Sequence, residues 1–452
     1  MYTNHRHHDI ALLHPFHFPS AEAQLAQAKT SPNYALTVLQ VVAQTAAPQE
    51  ATIRLSAATQ FKNAVNYAWN PSTDDEGHDL TGGIRFTAEE RVTIKENLVQ
   101  LMCTTPPQIQ AQLSESIALI ARTDYHQQWQ SLMPSLVRQF ESADLNTVIG
   151  VLKTANAIFK MFCHVGRSDE LYDKIAYSLA QVASPLLVLM KKFGQAVGEP
   201  QVQQDKNTLT AYLEGLRLIC RIVYSLNYQD LPEFFEDHMG EWMEEYAKYF
   251  QPGIFPQFAN YDEPSPLDKL QSAIVEILRL YADKDEEVYV ENYMKQFTEL
   301  IWNRLMSLSK ESKHDVLATR SIRYLASLVM KPMHTPFFAA AGVLPHMISK
   351  IVIPNLIFSE EDEERFEDDP DEFMRTEIEG SDSESRRTAV QQLLNGMCRN
   401  MEQATTEVCK GHIQSLLQES ATNPAQNWRQ KDIAVRHGRH ASKSIERWIV
   451  CV

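Results

Sequence analysis

LTAYLEGLRLICRIV, from Leu209 to Val223, sets the pattern for the whole chain. Leu209, Leu213, Leu216, Cys220 and Val223 follow one another at steps of four and three. That spacing gathers apolar side chains on one face of an α-helix and predicts a buried stripe. The same rhythm spreads in both directions. DLPEFFEDHMGEWMEEYAKYF reads as the partner helix, followed by PLDKLQSAIVEILRLYA, YVENYMKQFTELIWNRLMSL, DVLATRSIRYLASLVM and the Pro-bounded FFAAAGVLPHMISKIVI. Toward the N-terminus lie SDELYDKIAYSLAQVASPLLVLMKKF and a stripe of Leu145, Ile149, Leu152, Ala155 and Phe159. Before them come YHQQWQSLMPSLVRQF, QIQAQLSESIALIA behind Pro106-Pro107, and RVTIKENLVQLM behind a Thr87–Glu90 capping box. In TIRLSAATQFKNAVNYAW, Ile53, Ala57, Phe61 and Val65 recur every four residues, and NYALTVLQVVAQ and AEAQLAQAKT precede it. No stretch shows sustained β alternation.

Helices of roughly 12–25 residues arranged in successive pairs, at about 40–60 residues per pair, predict an all-α chain, a HEAT-repeat α-solenoid. About eight and a half such pairs fit between Ala21 and Ile433. A pair cannot cover its own apolar face, so stacking on neighbours builds one continuous core. A length of 452 residues, far beyond one compact core, agrees with this.

One stretch breaks the rhythm. SEEDEERFEDDPDEFMRTEIEGSDSES, Ser359 to Ser385, holds fourteen Asp and Glu against Arg365 and Arg375, a formal −12 out of −16 for the chain. Unpaired carboxylates cannot be buried, so this segment sits on a surface, facing water or a basic partner. A solvated acidic linker is the plain reading of a charge run. Phe366, Phe373 with Met374, and Ile378 resist it, because apolar anchors inside a charged loop suggest docking. Ser381 with Glu384 fits a capping box and predicts a helix just after Gly380.

The remaining features exclude more than they assign. Cys103, Cys163, Cys220, Cys398, Cys409 and Cys451 are scattered, without C-x-x-C or matching His spacing, and read as reduced, buried thiols of an intracellular protein. No run approaches a membrane span and no secretory signal opens the chain. Net negative charge argues against general nucleic-acid binding. The five His of MYTNHRHHDIALLHPFHF lack Cys and carboxylate company, so a disordered start is favoured over a metal site. Phosphate-loop, dinucleotide, zinc-protease and nucleophile-elbow motifs are absent, and paired acids such as Glu236-Asp237 and Glu244-Glu245 read as solvated helix faces. Surface recognition without catalysis, cofactor or metal is expected.

RLSAATQFKNAVNYAW, Arg54 to Trp69, resembles the second repeat of the importin-β superfamily, in which R-x-x-A-x-x-x-x-K-N-x-x-x-x-x-W recurs; AEAQL and NYALTVLQVV are similar to its first repeat. DLPEFFEDHM, RSDELY, FEDDPDEFMR with EGSDSESRR, and NW-x-x-KD at Asn427–Asp432 resemble the importin-α re-exporter family within it. The resemblance covers residues 21–435, about the N-terminal half of that family's length. It implies a nuclear transport receptor, possessed whole or in truncated form, that binds Ran-GTP and importin-α, meets nucleoporins, and shuttles between nucleus and cytoplasm. It also implies that an insertion touches both Ran and the cargo adaptor through Glu360, Glu361, Asp362, Phe366, Glu367, Asp368, Asp369, Pro370, Glu372 and Phe373. Arg54, Phe61, Lys62, Asn63 and Trp69 match the superfamily motif and are expected to be structural, with the Trp in the inter-repeat core and the Asn satisfying backbone groups. A HEAT-repeat scaffold without transport activity is the alternative. The expected organisation is residues 1–18 as a disordered or atypical start, 19–104 as importin-β N-terminal-type repeats and 105–357 as HEAT repeats. The acidic insertion follows at 358–382, further repeats at 383–435, and a basic tail unlike any repeat at 436–452.

Overall fold

The computed structural model describes residues 18–44, 51–71, 81, 83–357, 360–379, 385–424 and 426–441. The His-rich start up to His17, the Ser381–Glu384 pair and the tail beyond Ala441 lie outside them. Every regular element among the described residues is a helix, and one isolated β-bridge joins Tyr125 to Trp129. The fold is the all-α solenoid that the periodicity predicts. It divides into two units, residues 1–186 and 187–452, with the boundary next to Pro185 inside the helix Asp169–Ala196.

In the first unit, Tyr34–Ala43 packs on Ala51–Ala68, and Ala51–Ala68, Pro107–Asp124 and Leu145–Phe159 then stack in series. Fit between the last two depends on a missing side chain. A Cβ on Gly150 would come within 2.2 Å of the Gln110 amide. The apolar face of Ala51–Ala68 differs from the sequence expectation: Phe61 and Val65 are buried, but Ile53 is 58% exposed. The buried face runs through Ala58, Phe61, Ala64, Val65 and Ala68, so it starts one turn later and is built mostly from small residues. The Thr87–Glu90 capping box is present, with Glu90 N–H donating to Thr87 Oγ1 at 3.2 Å and Thr87 N–H to Glu90 Oε2 at 2.8 Å.

The second unit repeats the arrangement. Lys206–Asn227, Pro266–Lys284, Asp315–Val329 and Arg386–Thr422 stack one on the next. Leu209, Leu213, Leu216, Cys220 and Val223 are all buried, as expected, and so are Leu218, Ile219 and Ile222. The helix is therefore covered on more than one side. Arg386–Thr422 is two helices joined at Met401, whose φ of −141° and ψ of 43° break the helical path, in keeping with the two separate amphipathic stretches of the sequence. By contrast, the stretch expected as one helix around FFAAAGVLPHMISKIVI breaks at Gly342, which takes φ 83° between Thr335–Phe338 and Val343–Met347. Glycine tolerates that conformation where other residues do not. No single described helix is long and apolar enough to cross a membrane.

Polar ties fix the register of these greasy faces. Ser265 caps Pro266–Lys284 in a capping box with Asp268. The Asp268 carboxylate then accepts from Arg304 Nη2 at 2.6 Å, and Arg304 Nε donates to Gln271 Oε1 at 2.9 Å. Gln271 Nε2 passes the chain on to the Tyr249 carbonyl at 2.6 Å. Cys220 and Cys409 are buried, whereas Cys103, Cys163 and Cys398 are only half-buried and Cys451 lies outside the described residues. Burial pushes the Cys103 and Cys398 thiols up to about 11 and Cys409 up to about 12. All three therefore stay protonated and unreactive at neutral pH.

Arg304→Ala leaves the buried Asp268 carboxylate without its strongest partner. Urea unfolding is expected to show a loss of about 3 kcal/mol. The double variant with Asp268→Ala is expected to lose less than the two single changes together.

Candidate partner-binding site

The acidic segment folds as two helices, Glu360–Asp368 and Pro370–Glu379, packed on each other, where the sequence reading had a loop. Three local effects drive this. Glu is a good helix former. Asp371 and Glu372 lie in a first turn, where the helix dipole favours negative charge. Asp369 caps the second helix, its Oδ1 accepting from Glu372 N–H at 3.0 Å, and Pro370 follows at the first helical position. Asp369 and Pro370, expected as partner contacts, thus make the turn between the two helices. The next described helix begins at Arg386, with Ser385 as its cap in a box with Thr388.

The two phenylalanines divide the work. Phe373 is 5% exposed and Phe366 is 42% exposed, their rings meeting edge-on at 5.6 Å. Phe373 therefore holds the hairpin together, and Phe366 offers an apolar surface among acids. Two arginines that the sequence reading passed over tie the hairpin to the helices after it. Arg387 Nη2 lies 2.6 Å from Asp362 Oδ1, with side chains only 7% and 17% exposed. Arg429 Nη2 lies 2.6 Å from Glu363 Oε2 in a more open setting. The first tie is desolvated and strongly coupled to the fold; the second contributes little. The signal for Arg387 was visible as the Arg386-Arg387 pair directly after the acids.

What remains is an exposed acidic face of Glu364, Glu367, Asp368 and Asp371, with Glu372 paired to Arg375 at 3.2 Å. Glu360 and Glu361 open the first helix, but their side chains lie outside the described residues. Glu367 and Asp368 sit in the last turn of their helix, where its dipole disfavours negative charge. Local helix stability therefore does not explain acids at these two positions.

The N-terminal motif residues take structural positions. Arg54 Nε donates to the Val42 carbonyl at 3.0 Å, near the end of the preceding helix, and Phe61 is fully buried. Lys62 Nζ reaches Glu115 Oε2 on Pro107–Asp124 at 3.4 Å. Asn63 is half-buried. Trp69 is 3% exposed, packs on Phe86 at 5.1 Å, and carries the Arg91 guanidinium over its ring at 4.6 Å. Lys95 Nζ, also near that ring, pairs with Asp124 Oδ2 at 2.5 Å. Burial alone would push the Asp124 carboxyl up, but hydrogen bonds from Lys95 and Thr123, with the Lys95 charge, hold it below its ordinary value. No cluster of His, Cys, Asp and Glu able to hold a metal exists among the described residues.

Repeats of this geometry, opening on an Arg-Lys-Trp framework, are those of the importin-β class: residues 21–104 match the importin-beta N-terminal domain. Residues 158–441, which contain the acidic hairpin, match Cse1, and the chain belongs to the Cse1 family. Exportin-2 from Oreochromis niloticus and Exportin-2 from Homo sapiens are each 35% identical to it over 416 residues. Each match takes in 92% of this chain and 42% of the relative, so the chain spans less than half the length of these relatives. Among solved structures, the exportin Cse1 in its cargo-free, cytoplasmic state superposes with a TM-score of 0.82 at 30% identity, covering 94% of this chain and 45% of that one. Yeast importin-beta (Kap95p), at a TM-score of 0.56 and 14% identity over 98% of this chain and 46% of its own, shares the fold.

Phe373→Ala is expected to destabilise the hairpin by about 3 kcal/mol through lost burial. Phe366→Ala should cost about 1 kcal/mol, the worth of its ring contact. Hydrogen exchange of amides 360–379 separates the two: only Phe373→Ala should strip their protection.

Proposed function

We propose that this chain carries the Ran-GTP-binding and cargo-adaptor-binding part of an importin-α export receptor, working between nucleus and cytoplasm by surface recognition and without catalysis. The observation that carries this reading is the exposed acidic face beside Phe366, held in a hairpin within a chain that belongs to the Cse1 family. Its relatives bear the name Exportin-2, and its structural counterpart is an exportin described in a cargo-free state. Kap95p, of the same fold, has been solved in work on the switch loops of RanGDP and in a complex with Nup1. Those structures support a Ran-type GTPase and nucleoporins as the kinds of partner this fold serves. Physically, an acidic face speeds encounter with a basic surface and makes it salt-sensitive, while a half-exposed ring supplies short-range affinity.

The hairpin geometry dictates which residues test this. Asp369 caps a helix and Phe373 is core, so changing either confounds folding with binding. Glu364, Glu367 and Asp368 are exposed and free of those duties. Their joint replacement by Lys is expected to weaken binding of GTP-loaded Ran at least about tenfold at low salt, through repulsion as well as lost attraction. Phe366→Ala should weaken it without changing the salt dependence. Ran affinity at two salt concentrations is the measurement; equal affinity of wild type and the triple Lys variant at low salt overturns the reading.

A further inference from the structure

Away from the hairpin, the stacked helices Lys206–Asn227, Pro266–Lys284 and Asp315–Val329 bring arginines together on one face. Arg217 and Arg221 come from the first helix and Arg320 from the third, and all are half-buried. Two of the three are answered by acids. Arg217 donates from Nε and Nη2 to the two oxygens of Glu214, each at 2.7 Å, and Arg320 Nη2 meets Glu276 Oε1 at 2.9 Å. The Arg221 guanidinium makes no hydrogen bond or ion pair among the described residues. The acids that act on it most strongly, Glu276 and Glu214, are both engaged elsewhere. Burial, and then the charge of Arg217, pull it below its ordinary value. Arg320 Nε is also buried without an acceptor among the described residues. Three guanidinium groups against two carboxylates leave one positive charge in excess, in a chain whose net charge is −16.

We propose that this face docks an acidic segment of a partner polypeptide, with one carboxylate seated on Arg221. A guanidinium presents paired N–H donors in the fork that matches a carboxylate, and Arg320 Nε adds a donor nearby. Charge argues for a carboxylate over a phosphoryl group. One positive charge in excess balances one monoanion, whereas a group near −2 would also face Glu214 and Glu276. What lies beyond Arg221 argues for a polypeptide. Tyr224 and Tyr228 follow it by three and seven residues on the same side of the helix, their rings 5.7 Å apart, with Tyr228 37% exposed. They stand about 4.5 and about 10.5 Å along the axis from Arg221. In an extended peptide the second residue from a carboxylate points the same way about 7 Å off, and so falls between the two rings. Arg and Tyr are also the side chains that carry much of the binding energy at protein interfaces.

The test uses the full chain and a fluorescent peptide with Phe-Ala-Glu-Ala-Phe at its centre and Gly-Ser flanks, read by anisotropy at constant ionic strength. Companion peptides carry Gln or phosphoserine in place of Glu, or Ala in place of both Phe. The Glu peptide is expected to bind at least about tenfold tighter than the Gln peptide. It should also bind several-fold tighter than the peptide without Phe. Arg221→Gln should cost about tenfold in affinity, and Arg221→Lys, which keeps the charge but loses the fork, should recover only part of it. Glu214→Gln, which releases Arg217, should tighten binding several-fold, a gain that a misfolded variant cannot mimic. Phe366→Ala, in the acidic hairpin, should leave peptide binding unchanged, so this result and the Ran result stand or fall separately. Equal binding of the Glu and Gln peptides, wild-type affinity in Arg221→Gln, or a Glu214→Gln variant no tighter than wild type overturns the site. A phosphoserine peptide that binds tighter than the Glu peptide overturns the carboxylate assignment. A dimer in sedimentation that Arg221→Gln dissolves gives the face to a second copy of this chain and overturns the partner assignment.

Discussion

A helix with one apolar side needs one neighbour, and a helix with two apolar sides needs two. Lys206–Asn227 is of the second kind, its buried positions spreading from the Leu209–Val223 stripe to Leu218, Ile219 and Ile222. Pro266–Lys284 and Asp315–Val329 share this property, so each is fixed between the one before and the one after. The row cannot close early without exposing a greasy face to water, which is costly in proportion to area. It also has no room for unpaired charge. A segment with fourteen carboxylates must leave the row where the chain turns, and it does so between Leu356 and Arg386.

Apolar burial is non-directional, and it does not fix how far one helix slides along another. Polar contacts do that here. Arg386 and Arg387 are consecutive, and each fastens a different neighbour. Arg386 Nε pairs with Asp315 Oδ1 at 2.6 Å, and its Nη groups donate to the carbonyls of Ser309 and Glu311. Arg387 fastens the hairpin through Asp362. One turn of helix thereby sets the position of both the preceding repeat and the acidic surface.

Periodicity made the helices and most of the core legible, because burial at steps of three and four is written directly in the side chains. It failed where backbone conformation or a neighbour decides. Ile53 keeps the rhythm yet stands in water, and Gly342 breaks a run that hydropathy alone extends. The acidic segment was legible as a surface and as a family signature, but not as a hairpin. Charge repulsion suggested a loop, while helix propensity and the Asp369-Pro370 start won. Nor could sequence separate Phe366 from Phe373, since their difference lies in which ring the turn folds inward. Ties such as Arg387–Asp362 join residues 25 positions apart and have no periodic trace.

A hairpin of two acidic helices stores repulsion between its own arms and within the last turn at Glu367 and Asp368. Dissolved salt acts on it twice. Ions relax the internal repulsion and firm up the hairpin, and the same ions mask it from a basic partner. The two effects have opposite sign in any binding titration. On the proposed reading of this face, the slope of affinity against salt therefore understates how many charges meet at the interface.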